Sequence, residues 1–169
     1  MVTQGNLERL FELAIALEHA SEVLYRGLAI KFAEDPELER FWSRFASEEA
    51  GHARWLEDLL KKTRESNTLK LQEPAPKKLL KAARDLLHIS PGKTLESITN
   101  LEEAYRSAIE AESSETNVIF EFLVTDFAFT TQSRLFLTSQ LKDHADRTMN
   151  EFPERYKSVS ARLACRAKQ

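Results

Sequence analysis

The chain has 169 residues, 42% hydrophobic, 30% charged and 9% aromatic, with only four Gly, five Pro and one Cys. That is the length of one domain with a real core, and so little turn chemistry excludes an all-β protein with tight turns about every 8–12 residues. The net charge of −3 divides into +3 over residues 151–169 and −6 over residues 1–150; a short basic tail of this kind is ordinarily a solvated helix face, so no nucleic-acid partner is expected.

The first predicted element is a helix from Asn6, its N-cap, to about Ala33, with Leu7, Phe11, Ala14, Leu17, Leu24, Tyr25 and Leu28 on one face. Asp35-Pro36-Glu37 supplies an N-cap, a proline at the first helical position and an acid in the first turn. The second helix therefore runs from there to about Arg64, burying Leu38, Phe41, Trp42, Phe45, Trp55, Leu56 and Leu59. The short join makes the two an antiparallel pair. Residues 66–93, with Pro74, Pro76 and Pro91, form a long crossover containing a short helix from Lys77 to Leu87. A third long helix is predicted from near Thr94 to about Phe129, a fourth from Gln132 to Asn150, and a C-terminal helix over 153–164 behind Pro153. The expected fold is all-α: a four-helix bundle over 6–150, two helical hairpins joined by one crossover, with the whole chain 1–169 as a single domain.

Several apolar stripes carry an acid or an imidazole where a leucine belongs. In the second helix Phe45, Glu49, His52 and Leu56 fall at helical spacing, so the Glu-x-x-His pair faces inward together. Glu18 shares a face with Phe11, Ala14 and Tyr25, and Glu112 and Glu115 lie one turn apart on the stripe of Tyr105, Ala108, Ile119 and Phe122. Leu137, Leu141, His144 and Thr148 repeat the spacing of the second helix. A buried carboxylate takes up a proton, finds a partner or binds a cation, and no Arg or Lys partner is evident on these faces. Oxygen ligands with one or two imidazoles suit iron or manganese. The single Cys165 excludes disulfides, Cys-based zinc sites and iron–sulfur clusters, and it points to a reducing, cytoplasmic compartment. The isolated Gly5, Gly27, Gly51 and Gly92 build no phosphate loop. Gly51, inside the Glu-x-x-His motif, is explained either by close approach of a neighbouring helix or ligand or by neutral drift. No apolar run approaches membrane-spanning length and the N-terminus lacks a signal-peptide pattern, so neither a membrane partner nor export is expected.

The halves of the chain also match each other. Ala14-Ile15-Ala16-Leu17-Glu18 aligns with Ala108-Ile109-Glu110-Ala111-Glu112, and Phe45, Glu49, His52 and Ala53 align with Leu137, Leu141, His144 and Ala145. Over residues 6–150 the chain resembles the rubrerythrin branch of the ferritin-like superfamily, most specifically in Ala-Leu-Glu…Leu-Tyr followed by Phe-Ala-Ser-Glu-Glu-Ala-Gly-His-Ala. The resemblance implies a di-iron carboxylate centre with Glu18, Glu49, His52, Glu112, Glu115 and His144 as ligands. It also implies peroxide or oxygen reduction, and a homodimer or larger homo-oligomer. Leu141 stands where the second Glu-x-x-His should have its glutamate. Occupancy by one metal, or by manganese, therefore stays open, with Glu115, Gln140 or Asp143 as substitutes. No Cys-based iron domain is present in this sequence, so electrons are expected from an external donor protein. Two rival expectations stand beside the redox one: an iron-oxidising or iron-storing protein, and a degenerate bundle serving as a scaffold.

Overall fold

The computed structural model describes residues 6–112, 115–128, 130–132, 134, 135, 137, 139, 147 and 150–156, excepting the side chains of 115, 116 and 154. The described residues are helical, without strands, as the composition implied. Helix α1 spans Leu7–Lys31; Asn6 caps it by accepting the Arg9 amide at 3.0 Å. Helix α2 spans Pro36–Ser66, with Asp35 accepting the Glu37 amide at 3.0 Å and Pro36 in the first turn. Both starts follow the signals in the sequence.

Two apolar clusters fill the interior. One gathers the first half of α1 (Leu7, Leu10, Phe11, Ala14, Leu17) with the second half of α2 (Leu56, Leu59, Leu60). The other joins the second half of α1 (Leu24, Tyr25, Leu28) to the first half of α2 (Leu38, Phe41, Trp42, Phe45). Opposite halves pair in both, so the two helices run antiparallel. The crossover consists of α3 (Thr68–Leu71), α4 (Lys77–Leu87) and α5 (Pro91–Ser97). Leu80, Ala82 and Ala83 of α4 close the first cluster. α5 buries none of its own residues. It is held where Leu95 sits over Gly27 and Lys31 donates to the Leu95 carbonyl at 2.7 Å.

The third long helix begins later than the sequence reading placed it. Thr94 lies within α5, the chain breaks at Ile98–Asn100, and α6 runs Leu101–Glu112. A cap forces the restart. The Asn100 side chain accepts the Glu103 amide at 3.0 Å, and the Glu103 carboxylate accepts the Thr99 amide at 2.7 Å. Helix α7 spans Glu115–Phe127, and Ile119, Phe120, Leu123 and Val124 join the first cluster. Ala104, Tyr105 and Ala108 of α6 join the second, sealed by Phe152. Most of the predicted fourth helix lies outside the described residues; 132, 134, 135, 137, 139, 147 and 150 are helical. Of the predicted C-terminal helix, a 3₁₀ turn at Glu154–Tyr156 is described and the remainder lies outside.

Among the described residues a Cβ built on Gly51 meets nothing within 4 Å, so none of them makes the close approach that would require a glycine there. Gly27 is the glycine that a packing contact requires. A Cβ on it would stand 2.2 Å from Leu95 Cδ1, so its bare face is what lets α5 lie on α1.

Candidate metal centre

A layer of charged side chains separates the two apolar clusters. On α1, Glu18 falls between Leu17 of one cluster and Leu24 of the other. On α2, Glu49 and His52 fall between Ala46 and Leu56, and Glu112 lies between Ala108 and Ile119. The helical period that buries the leucines buries these residues equally: Glu18 is 3% exposed, and Glu49, His52 and Glu112 are each 5% exposed.

The i, i+3 spacing on α2 sets the imidazole beside its own carboxylate. His52 Nδ1 is 3.4 Å from Glu49 Oε2 and 3.6 Å from Glu18 Oε2. Donor atoms of Glu18, Glu49 and His52 all lie within 4.8 Å of one another, close enough to share one cation. Glu112 enters from α6. Its carboxylate accepts a hydrogen bond from the Tyr25 hydroxyl, and its charge acts on Glu49. The Phe120 ring, 5.3 Å from that of His52, covers the imidazole.

Burial and acid–acid proximity set the protonation. Burial pushes the Glu49 carboxyl well above its ordinary range, and Glu18 and Glu112 push it further, although the His52 hydrogen bond acts against this. Burial alone would strip the proton from His52, but its hydrogen bonds to Glu18 and Glu49 outweigh that and raise it to about 9. Burial, with the charges of Glu112, Glu49 and Glu18, drives the Tyr25 phenol far above its usual value. The protons kept by Glu49 and His52 thus let the buried acids sit side by side here. A divalent cation serves the same end with more charge, and the donor set of hard carboxylate oxygens and an inward-facing imidazole nitrogen fits iron or manganese.

Four of the six residues singled out in the sequence are brought together: Glu18, Glu49, His52 and Glu112. The Glu115 side chain and all of His144 lie outside the described residues, as do Leu141, Gln140 and Asp143. Sequence reasoning missed Tyr25 as part of the site. It lies two turns after Glu18 on the same face, where a phenol passes for core until the carboxylate 87 residues away is placed against it.

Among the described residues no helix is long and apolar enough to cross a membrane. No curated protein and no solved structure matches the chain. The family model described as Rubrerythrin matches residues 9–128, more than half of the chain, in a span that includes Glu18, Glu49, His52 and Glu112. With that match over residues 9–128, and a buried Glu-Glu-His group that could hold a metal ion within it, the chain belongs to the rubrerythrin family.

Proposed function

We propose that this protein holds a non-haem di-iron centre and reduces peroxide or oxygen with electrons from an external donor protein. The observation that carries the reading is the layer of Glu18, Glu49, Glu112 and His52, buried together between two apolar clusters. In this reading Glu18, Glu49, Glu112, Glu115, His52 and His144 are the ligands, and the chain is one ferritin-like domain working as a homo-oligomer. Iron bound there supplies one-electron redox chemistry and a Lewis-acidic site for the oxidant.

The chain's own residues prepare that chemistry. Glu49 gives up the proton it holds against Glu18, and His52 gives up the Nδ1 proton its two carboxylate partners retain, so that both present lone pairs inward. Tyr25 donates to Glu112 and fixes the orientation of that carboxylate. Phe45, Trp42 and Phe120, all fully buried, keep bulk water from the layer. A cavity of about 220 Å³ between α1, α5 and α6 touches Leu17, Ser21 and Ala111, the near neighbours of Glu18 and Glu112. It is the approach route this reading assigns to a small oxidant.

Iron-loaded, reduced protein should be reoxidised by hydrogen peroxide with matching peroxide consumption, and Glu49→Gln should abolish this. Peroxide consumption that is equal in both, or absent from loaded wild type, overturns the assignment. Leu141 favours a second reading, a bundle that has lost its redox centre; loaded wild type inert to both peroxide and oxygen would support it.

A further inference from the structure

We propose that Tyr25, Trp42 and Tyr156 form a relay that carries oxidising equivalents from the carboxylate layer to the protein surface, with Phe152 as the spacer between Trp42 and Tyr156. This rests on the reading of that layer as a redox centre, and it adds an exit that the centre itself does not require.

The path is continuous. The Tyr25 and Trp42 rings stack, with centroids 6.0 Å apart and planes 11° from parallel. Trp42 meets Phe152 at 6.1 Å, and Phe152 meets Tyr156 at 6.3 Å. Tyr25 and Trp42 are 0% exposed, whereas Tyr156 is only half-buried. The line therefore starts at the buried acids and ends at solvent.

Its chemistry is ordered as well. A phenol loses an electron readily only when a base takes its proton, and each tyrosine has one. The Tyr25 hydroxyl donates to Glu112, and the Tyr156 hydroxyl donates to Asp35 Oδ2 at 2.6 Å. Trp42 Nε1, buried between them, is without a hydrogen-bond partner among the described residues. Oxidised Trp42 therefore keeps its proton and passes the electron vacancy on as a radical cation. A core built only for packing needs aromatic or aliphatic bulk here, not oxidisable rings with a carboxylate at each end.

The oxidant is a hydroperoxide acting at the loaded centre, and the final reductant is a one-electron donor in solution. A metal held by the layer and oxidised by that hydroperoxide would take one electron from Tyr25, the phenolic O–H bond breaking as its proton moves along the hydrogen bond to the Glu112 carboxylate. Trp42 returns an electron to Tyr25, which recovers that proton. Tyr156 then reduces Trp42, its own O–H bond breaking as the proton bonds to Asp35. The soluble donor supplies the electron that restores Tyr156, and Asp35 returns the proton.

The test uses the full chain without metal, so it stands apart from the iron reading. Flash-generated tris(bipyridine)ruthenium(III) is too bulky to enter the core, so oxidation of buried Tyr25 reports passage through the interior. Wild type should give tyrosyl radicals by electron paramagnetic resonance of frozen samples, the Tyr25 component being the one lost in Tyr25→Phe, where a radical formed directly on Tyr156 persists. The Tyr25 component should be lost in Trp42→Phe and in Tyr156→Phe but retained in Trp55→Phe, which lies outside the path. Should Trp42→Phe fail to fold, the surface variant Tyr156→Phe decides alone. A Tyr25 radical at wild-type level in either relay variant, or none in wild type, overturns the relay. A chain that takes up no iron yet shows Trp42-dependent oxidation of Tyr25 refutes the iron reading and keeps the relay.

Discussion

Replacing Glu49 with Gln nearly preserves shape while removing one of three buried acids, so its effect on stability should change sign with metal. In the metal-free protein, burial and the neighbouring Glu18 and Glu112 raise Glu49 above its ordinary 4.5. The folded state then keeps a proton that the unfolded chain releases, and stability falls as pH rises by about 1.4 kcal/mol per unit. This cost is nil below 4.5 and grows as pH climbs toward the raised folded value. His52 acts in a higher window. Its stabilisation is full below 6.5 and lost as pH rises to about 9, a change of about 3 kcal/mol. Glu49→Gln removes the first cost but also one of the two carboxylates that hold the His52 proton. The net expectation is a metal-free protein more stable by about 1–2 kcal/mol at neutral pH. The melting temperature should rise by about 2–8 °C, with a flatter pH slope between 4.5 and neutrality. Thermal and urea unfolding in chelator, followed by far-UV circular dichroism across pH, measures both. With iron(II) at about 100-fold over its Kd the order reverses, since binding to the folded state alone adds about 2.7 kcal/mol to wild type. A variant less stable than wild type in chelator, or one that keeps the wild-type slope, would refute this account of the buried acids.

Gly51→Ala, with no described residue within 4 Å of the new Cβ, should raise stability by about 1 kcal/mol through helix propensity alone. Gly27→Ala forces Leu95 aside and should give none of that gain, a contrast that urea unfolding of the pair resolves. Asn100→Ala removes the cap that restarts the chain at α6 and should cost about 1 kcal/mol. Hydrogen exchange should then show faster opening at Leu101–Tyr105, and an unchanged exchange pattern would deny that the cap sets the helix start. Tyr25→Phe leaves the Glu112 carboxylate without its phenol donor and should destabilise the metal-free protein by about 1–3 kcal/mol; a neutral effect in chemical denaturation would contradict that.

The helical pair and its antiparallel packing were legible because the Asn6 and Asp35-Pro36 caps act locally and a 3.6-residue period shows through any context. The buried layer was legible for the same reason: Glu18, Glu49, His52 and Glu112 sit on stripes whose other members are apolar. The restart at α6 was not read, although its signal is in the sequence. Thr99-Asn100 followed by Glu103 is a capping box, and the apolar stripe running through Leu101 and Tyr105 masked it. Gly27 and Gly51 look alike in one dimension; only the placement of Leu95, 68 residues away, tells them apart. Tyr25 reads as core because burial and a place in the site make the same demand on an aromatic ring, and what separates the two is the Glu112 carboxylate it meets in space.

The central claim is that the buried acids are held together for a metal ion, and metal content per chain tests it most directly. Protein purified without chelator, then titrated with iron(II) under anaerobic conditions, should saturate at about one to two ions per chain, with protons released as the ions bind. Glu49→Gln should lower that number. Uptake below about 0.2 ion per chain in wild type, with no proton release, would contradict the account.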